Sequence, residues 1–205
     1  MEWLNSGEGF SGIAGCQSTP KISFVTTNVG KFKEISALMR ERGVQLEHLR
    51  TPYPEIQAES LEITIIPGLQ WLLEKYEKPL MIDDSGLFVE SLKGFPGVYS
   101  SYVFKTVGCD GILNLMRGIS DRRARFECCI GFIAPGKDPF IAKGVSKGTI
   151  ALARAGTSGF GYDPIFIPEG SDKTYAQIEV NEKNKTSHRG RAVEVFLREL
   201  PRLLR

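Results

Sequence analysis

Periodicity first emerges in this chain at Ile22-Ser23-Phe24-Val25-Thr26, where the apolar positions recur in the manner of a strand. A polar turn, Thr27-Asn28-Val29-Gly30-Lys31, follows. Ile35, Leu38 and Met39 then fall on one side of a helix, with Asn28 placed to cap its start and Gly43 to stop it. Residues 44–56 predict a second strand and an irregular segment, because Pro52 and Pro54 exclude a central helix. Leu69, Leu72, Leu73 and Tyr76 mark another helix face, with Pro67 suited to its first turn. Leu80-Met81-Ile82 is a short apolar run ending in Asp83-Asp84-Ser85-Gly86, so both acids are expected just past a buried strand. A short helix is expected over 110–117 and strands with Gly-rich turns from 123 to 152. A C-terminal helix is expected to start near Ser187 and to bury Val193, Phe196, Leu197, Leu200 and Leu204.

This order predicts a mixed α/β protein with a central twisted sheet and a cleft between two lobes. Residues 1–20, rich in Gly, Ser and Asn, read as a loosely held N-terminal extension, and residues 21–205 as the functional domain. The length of 205 residues suffices for a real core. A net charge of +2 argues against a nucleic-acid partner, so any bound anion must be met by local basic groups. No run approaches the roughly 20 apolar residues that span a bilayer, so no membrane association is expected. Cys16, Cys109, Cys128 and Cys129 show no CxxC spacing. Cys128 and Cys129, adjacent on a predicted strand, should face opposite ways. Buried free thiols in a reducing cytoplasm are the expectation.

Four motifs carry candidate chemistry. Thr26-Thr27-Asn28-Val29-Gly30-Lys31 places hydroxyls, an amide, a glycine and a lysine at a strand-to-helix turn, which suits a phosphate. It also fits a plain turn capped by Asn28. It is not a Walker loop, since Val25 stands where the first glycine is needed and Phe32 follows the lysine. Asp83-Asp84-Ser85-Gly86, with Glu55 upstream, offers carboxylates to Mg²⁺, which takes one or two such ligands beside waters and substrate phosphates. Asp-Ser-Gly is equally ordinary turn chemistry. Ser158-Gly159-Phe160-Gly161-Tyr162-Asp163-Pro164 interleaves two aromatics with glycine, a stiff loop able to stack a planar ring, or a turn with core plugs. In the fourth, Glu182–Arg189, Lys183, Lys185, His188 and Arg189 cluster around a predicted helix N-terminus. Cations disfavour that end, so an anionic or carbonyl-bearing ligand would explain them. A solvated charged loop is the alternative. His48 has no apparent partner and is assigned no role.

Taken together and in this order, the motifs resemble the inosine triphosphate pyrophosphatases, also called non-canonical purine NTP pyrophosphatases. The match runs from about Ile22 to Leu200 and includes Pro54-Glu55-Ile56-Gln57, Gly94-Phe95-Pro96-Gly97 and Glu182–Arg191. Tyr99-Ser100-Ser101-Tyr102-Val103 resembles archaeal members. The resemblance implies an elongated central sheet, a homodimer in the cytoplasm and Mg²⁺-dependent cleavage between the α- and β-phosphates. It implies that Thr26, Thr27, Asn28, Val29, Gly30 and Lys31 hold phosphates. Glu55 and Asp84 would bind the metal, with Asp84 also the base for the attacking water and Ser85 near the phosphates. Phe160, Gly161, Tyr162 and Asp163 would sandwich and read the base, completed by Lys183, His188 and Arg189. Ile66-Pro67-Gly68 departs from the pattern, since many members carry a lysine in that helix. Rival readings are a related pyrophosphatase acting on pyrimidine or modified nucleotides, and a nucleotide-binding regulatory module without turnover.

Overall fold

Strand β1 (Ile22–Val25) is buried along its whole length and runs parallel to β2 (Leu46–Leu49) on one side and β3 (Leu80–Val89) on the other. Beyond β3 the sheet turns antiparallel through β4 (Arg123–Ile133), β5 (Phe140–Ile150) and β6 (Phe166–Pro168), giving the order β2-β1-β3-β4-β5-β6. These elements belong to a computed structural model that describes residues 21–205; the expectation for residues 1–20 lies outside the described residues. The mixed α/β class expected from the periodicity is present, as a six-stranded sheet flanked by helices.

Pleating sends successive side chains of a strand to opposite faces, and here that decides which helix each residue meets. Met81 and Cys128 join one core with Ile35 and Met39 of α1 (Val29–Glu41) and with Val193 and Phe196 of α6 (His188–Leu203). Ile82 and Cys129 join another with Leu61, Ile65, Leu69 and Leu72 of α2 (Leu61–Tyr76). The adjacent thiols therefore do face opposite ways. A third core gathers Leu87 and Val89 with Val103 of α3 (Ser100–Thr106), Ile112 of α4 (Gly108–Leu115) and Tyr175. No described helix is long and apolar enough to cross a membrane.

Two expectations need correction. The acids do not lie past β3 but inside it, because β4 supplies a ladder along the whole strand, pairing Asp83 with Ile130 and Asp84 with Cys129. Helix α2 begins at Leu61, capped by Ser60, so Pro67 sits in its interior. Proline there cannot donate to the Ile63 carbonyl, a fault worth about 3 kcal/mol in an isolated helix. Burial of Leu61, Ile65, Leu69 and Leu72 holds the helix across the fault.

Unequal strand lengths leave part of one edge of β3 uncovered by β1. Strand β1 pairs with β3 only through Ser23↔Leu80 and Phe24↔Met81. From Ile82 to Leu87 that edge of β3 has no strand partner among the described residues, and side chains serve it instead. Lys31 Nζ donates to the Asp83 carbonyl at 3.2 Å, Asp84 Oδ1 accepts from the Ser85 amide at 2.8 Å, and Ser100 Oγ accepts from the Leu87 amide at 2.8 Å.

Candidate active site

The turn that follows β1 faces this open edge. Thr26 is buried and its Oγ1 accepts from the Asn28 amide at 3.1 Å; Asn28 Oδ1 accepts from the Lys31 amide at 3.1 Å and caps α1. Thr27, Asn28 and Val29 are exposed, as a ligand-facing turn requires. His48, which the sequence left without a role, braces the turn: its Nε2 lies 2.9 Å from the Thr26 carbonyl, and its ring stacks on Phe32 with centroids 3.9 Å apart.

Because Asp83 and Asp84 are consecutive on a strand, they serve opposite faces. Asp83, on the α1/α6 face, pairs with Lys31 at 3.2 Å and accepts from Ser85 Oγ at 3.3 Å, while its Oδ1 is buried without a partner. Burial pulls the Lys31 ammonium down, but Asp83 and then Asp84 outweigh it and leave Lys31 above its ordinary range. Asp84, on the α2 face, accepts from Thr64 Oγ1 at 3.2 Å. Burial raises the Asp84 carboxyl above its ordinary range, Asp83 and Glu55 adding to the effect while Lys31 and the Ser85 amide oppose it.

On the α2 face, Glu55, Asp84 and Thr64 line a cavity of about 240 Å³ together with Tyr53 and residues of α3. Burial, then Glu55, Asp83 and Asp84, keep the Tyr53 phenol protonated, a neutral donor among acids. Its ring lies across the helix at Gly68, where a Cβ would come within 2.9 Å of it, so Tyr53 occupies the space over the Pro67-Gly68 step. Among the described residues no three Asp, Glu, His or Cys side chains form a ready-made metal cage. Magnesium does not need one: Asp84 and Glu55 line one cavity, and the crowding that lifts Asp84 is what a divalent cation relieves. The donor set therefore fits Mg²⁺. A second cavity, of about 420 Å³, is lined by none of the candidate residues. Of the two guanidiniums on its wall, Arg122 donates to the carbonyls of Met116, Ile150 and Ala151, and Arg117 donates to Asn114 Oδ1.

Across the open edge, on the α1/α6 face, lies an aromatic and basic group. A Cβ on Gly30 would sit 3.0 Å from the Phe160 ring, so the loop and the turn are in contact and any larger residue there would press on that ring. Arg189 lies over Phe160 at 4.8 Å and Lys183 at 5.5 Å. Of the loop's two aromatics, only Phe160 is brought to the turn. Tyr162 is buried in the third core, its hydroxyl donating to the Ser100 carbonyl at 3.1 Å and its ring edge-on to Phe104. Gly161, at φ 65°, turns the chain between the two rings. Asp163 clamps the loop, Oδ2 accepting from the Phe160 amide at 2.9 Å and from Lys183 Nζ at 2.7 Å.

Lys183 in α5 (Val180–Thr186) and Arg189 also reach Glu34 of α1, each at 2.9 Å. These cations are thus balanced within the protein, two against the two carboxylates of Glu34 and Asp163. The charge that an anionic or carbonyl-bearing ligand was expected to balance on Lys183 and Arg189 is met by these carboxylates. Burial pushes the Glu34 carboxyl up, but Arg189 and Lys183 together hold it below its ordinary range. His188 is 1% exposed, stacks on Phe126 with centroids 4.6 Å apart, and has neither ring nitrogen hydrogen-bonded. Burial first, then Arg189, Lys183 and Lys31, drive its pKa well below the ordinary value, so it stays neutral. Arg189 Nε is likewise buried and unpartnered. Gly144 of β5 lets α6 lie this close: a Cβ there would meet the His188 carbonyl at 2.1 Å.

Sequence reasoning missed Glu34, Tyr53, Thr64 and the separate role of Asp83. Glu34 had a readable signal, standing one helical turn beyond Lys31; Tyr53 and Thr64 had none, because their partners are distant in the chain.

A family model, the Ham1 family, matches residues 22–199. The chain is 53% identical over 176 residues to the dITP/XTP pyrophosphatase of Pyrococcus horikoshii, covering 86% of this chain and 94% of that one. It is 47% identical over the same length to the dITP/XTP pyrophosphatase of Thermococcus kodakarensis, covering 86% and 95%. Among solved structures, a HAM1 protein from Coxiella burnetii superposes with a TM-score of 0.79 at 29% identity, covering 89% of this chain and 99% of that one.

Proposed function

The chain belongs to the Ham1 family, and from that premise we propose that it hydrolyses the non-canonical purine triphosphates dITP, ITP and XTP to monophosphate and pyrophosphate. The observation that carries the proposal is the contact of Phe160 with Gly30, which sets a flat apolar ring directly beside the Asn28-capped turn that carries the Thr26 and Thr27 hydroxyls. A base stacked on Phe160 then places its triphosphate on that turn and over the open edge of β3, toward Asp84. Thr26, Thr27, Asn28, Val29, Gly30 and Lys31 hold the phosphates, with Ser85 beside them. Glu55 and Asp84 hold Mg²⁺, which when bound neutralises phosphate charge and lowers the pKa of water. Asp84 takes the proton of the water that attacks the α-phosphorus, and pyrophosphate leaves.

Base choice follows from unpaired groups. The nitrogens of His188 and the Nε–H of Arg189 are buried without hydrogen-bond partners among the described residues, and a purine base would supply them. A 6-oxo purine supplies an acceptor, whereas the amino group of adenine sets donor against donor, at a cost of about 1–3 kcal/mol. Among the described residues the thiols of Cys109, Cys128 and Cys129 are free and buried, which suits a reducing cytoplasm. The exposed apolar side chains Phe95, Tyr99 and Tyr102 offer surface for a homodimer.

The test is pyrophosphate release from dITP, ITP, XTP, GTP and ATP with and without Mg²⁺. Metal-dependent release from the first three, well above the last two, is the expected result. Release of single phosphate, or none, would sink the proposal.

A further inference from the structure

Lys31 reaches the Asp83 carbonyl on the open edge of β3 and Lys105 lines the cavity that holds Asp84; of the two, among the described residues, Lys31 alone has a carboxylate partner. Lys31 is committed: its Nζ lies 3.2 Å from both Asp83 Oδ2 and the Asp83 carbonyl, on the α1/α6 face. The α2-face cavity holds Asp84 and Glu55, and its lining contains a single cation, Lys105. Lys105 sits in the last turn of α3, is exposed, and among the described residues has no carboxylate within ion-pair distance. A cavity with two carboxylates and one uncommitted ammonium is poorly suited to any anion by itself. Joined to a divalent cation, it becomes a receptor for a polyphosphate, whose outer oxygens need positive charge on the side away from the carboxylates.

We propose that Lys105 is a substrate-binding residue that holds the diphosphate portion of the triphosphate, the part that departs as pyrophosphate. This rests on the pyrophosphatase reading above and extends it to a residue that reading does not use. Ser101 and the protonated Tyr53 hydroxyl, on the same cavity wall, supply neutral donors beside it. The diphosphate is thereby held on the α2 face while the base is held on the other, and the scissile bond lies across the edge of β3 between them.

The experiment uses the full chain with Mg²⁺. It measures dITP turnover and inhibition by two products, inorganic pyrophosphate and dIMP, in wild type, Lys105→Met and Lys105→Arg. Lys105→Met should raise both the KM for dITP and the inhibition constant of pyrophosphate by about tenfold. The inhibition constant of dIMP should not move, and Lys105→Arg should restore most of the loss. A pyrophosphate constant unchanged in Lys105→Met, or a dIMP constant that rises equally, overturns the assignment, because a merely structural lysine would affect both products or neither. Wild type that releases no pyrophosphate from dITP overturns the parent reading and this inference together. Active wild type with unshifted Lys105→Met overturns this inference alone.

Discussion

The two faces of β3 carry carboxylates one residue apart in the chain and treat them in opposite ways. On the α1/α6 face, Asp83 meets Lys31, and Glu34 and Asp163 meet Lys183 and Arg189, so every named acid has a cation within 3.2 Å. On the α2 face, among the described residues, Asp84 has only a hydroxyl and a backbone amide, and Glu55 is exposed without an ion pair. Paired charges in a buried network fix geometry but have little left to offer a ligand. Unpaired acids in a cavity hold a deficit that a metal and its phosphates can fill. The first face is therefore suited to orienting a base and the second to chemistry.

The sharpest break of that contrast is Asp84→Asn. Turnover should fall about a thousandfold, in the range of lost general-base catalysis, while equilibrium binding of nucleotide persists. The folded carboxyl of Asp84 lies above its ordinary 3.8, so its ionised form is disfavoured by the fold and chemical denaturation should find the variant no less stable at neutral pH. Near-normal rates of pyrophosphate release would remove Asp84 from the reaction.

Glu34→Gln should act in the other direction. It strands Arg189 and halves the pairing of Lys183, and breaking a buried pair costs about 3 kcal/mol. Urea unfolding would read this, and an unchanged midpoint would show that the network is not as closed as its distances imply. Smaller again is the effect of His188→Ala on base choice. The preference for ITP over ATP in kcat/KM should shrink by about tenfold, through ITP alone. Equal loss on both substrates would make His188 a general anchor.

Acid should separate the faces most gently. Glu34 is held below its ordinary 4.5, so its contribution is in force above that value and is lost as pH falls through the lower folded one. His188, held well below 6.5, adds an earlier decline, because below 6.5 the unfolded chain takes a proton that the fold refuses. Melting temperature should fall on acidification in two steps. Glu34→Gln should flatten the lower step and leave the upper one; loss of the upper step instead would reverse the assignment.

Much of this was legible beforehand because it is local. Asn28 caps α1 as its spacing from Lys31 predicts, Ser187 caps α6, and the adjacent thiols part to opposite faces. The extent of β3 was not legible, since Asp83, Asp84 and Gly86 have low strand propensity and are held extended only by β4. Pro67 misled for a similar reason: a local start signal was outweighed by the apolar stripe of α2 packed on the sheet. The lysine and arginine near α6 looked unbalanced because Glu34, their counter-charge, lies 149 residues from Lys183 in sequence.

What the sequence determined by itself was the set of parts: a capped polar turn, a pair of acids, an aromatic-glycine loop and a basic helix start. Each is a short-range pattern whose backbone consequences are set within a few residues. Only the tertiary structure decided which parts belong together and with what charge to spare. Because β1 stops two pairs into β3, an edge is left open, and because a strand pleats, Asp83 is neutralised on one side while Asp84 is left unpaired on the other.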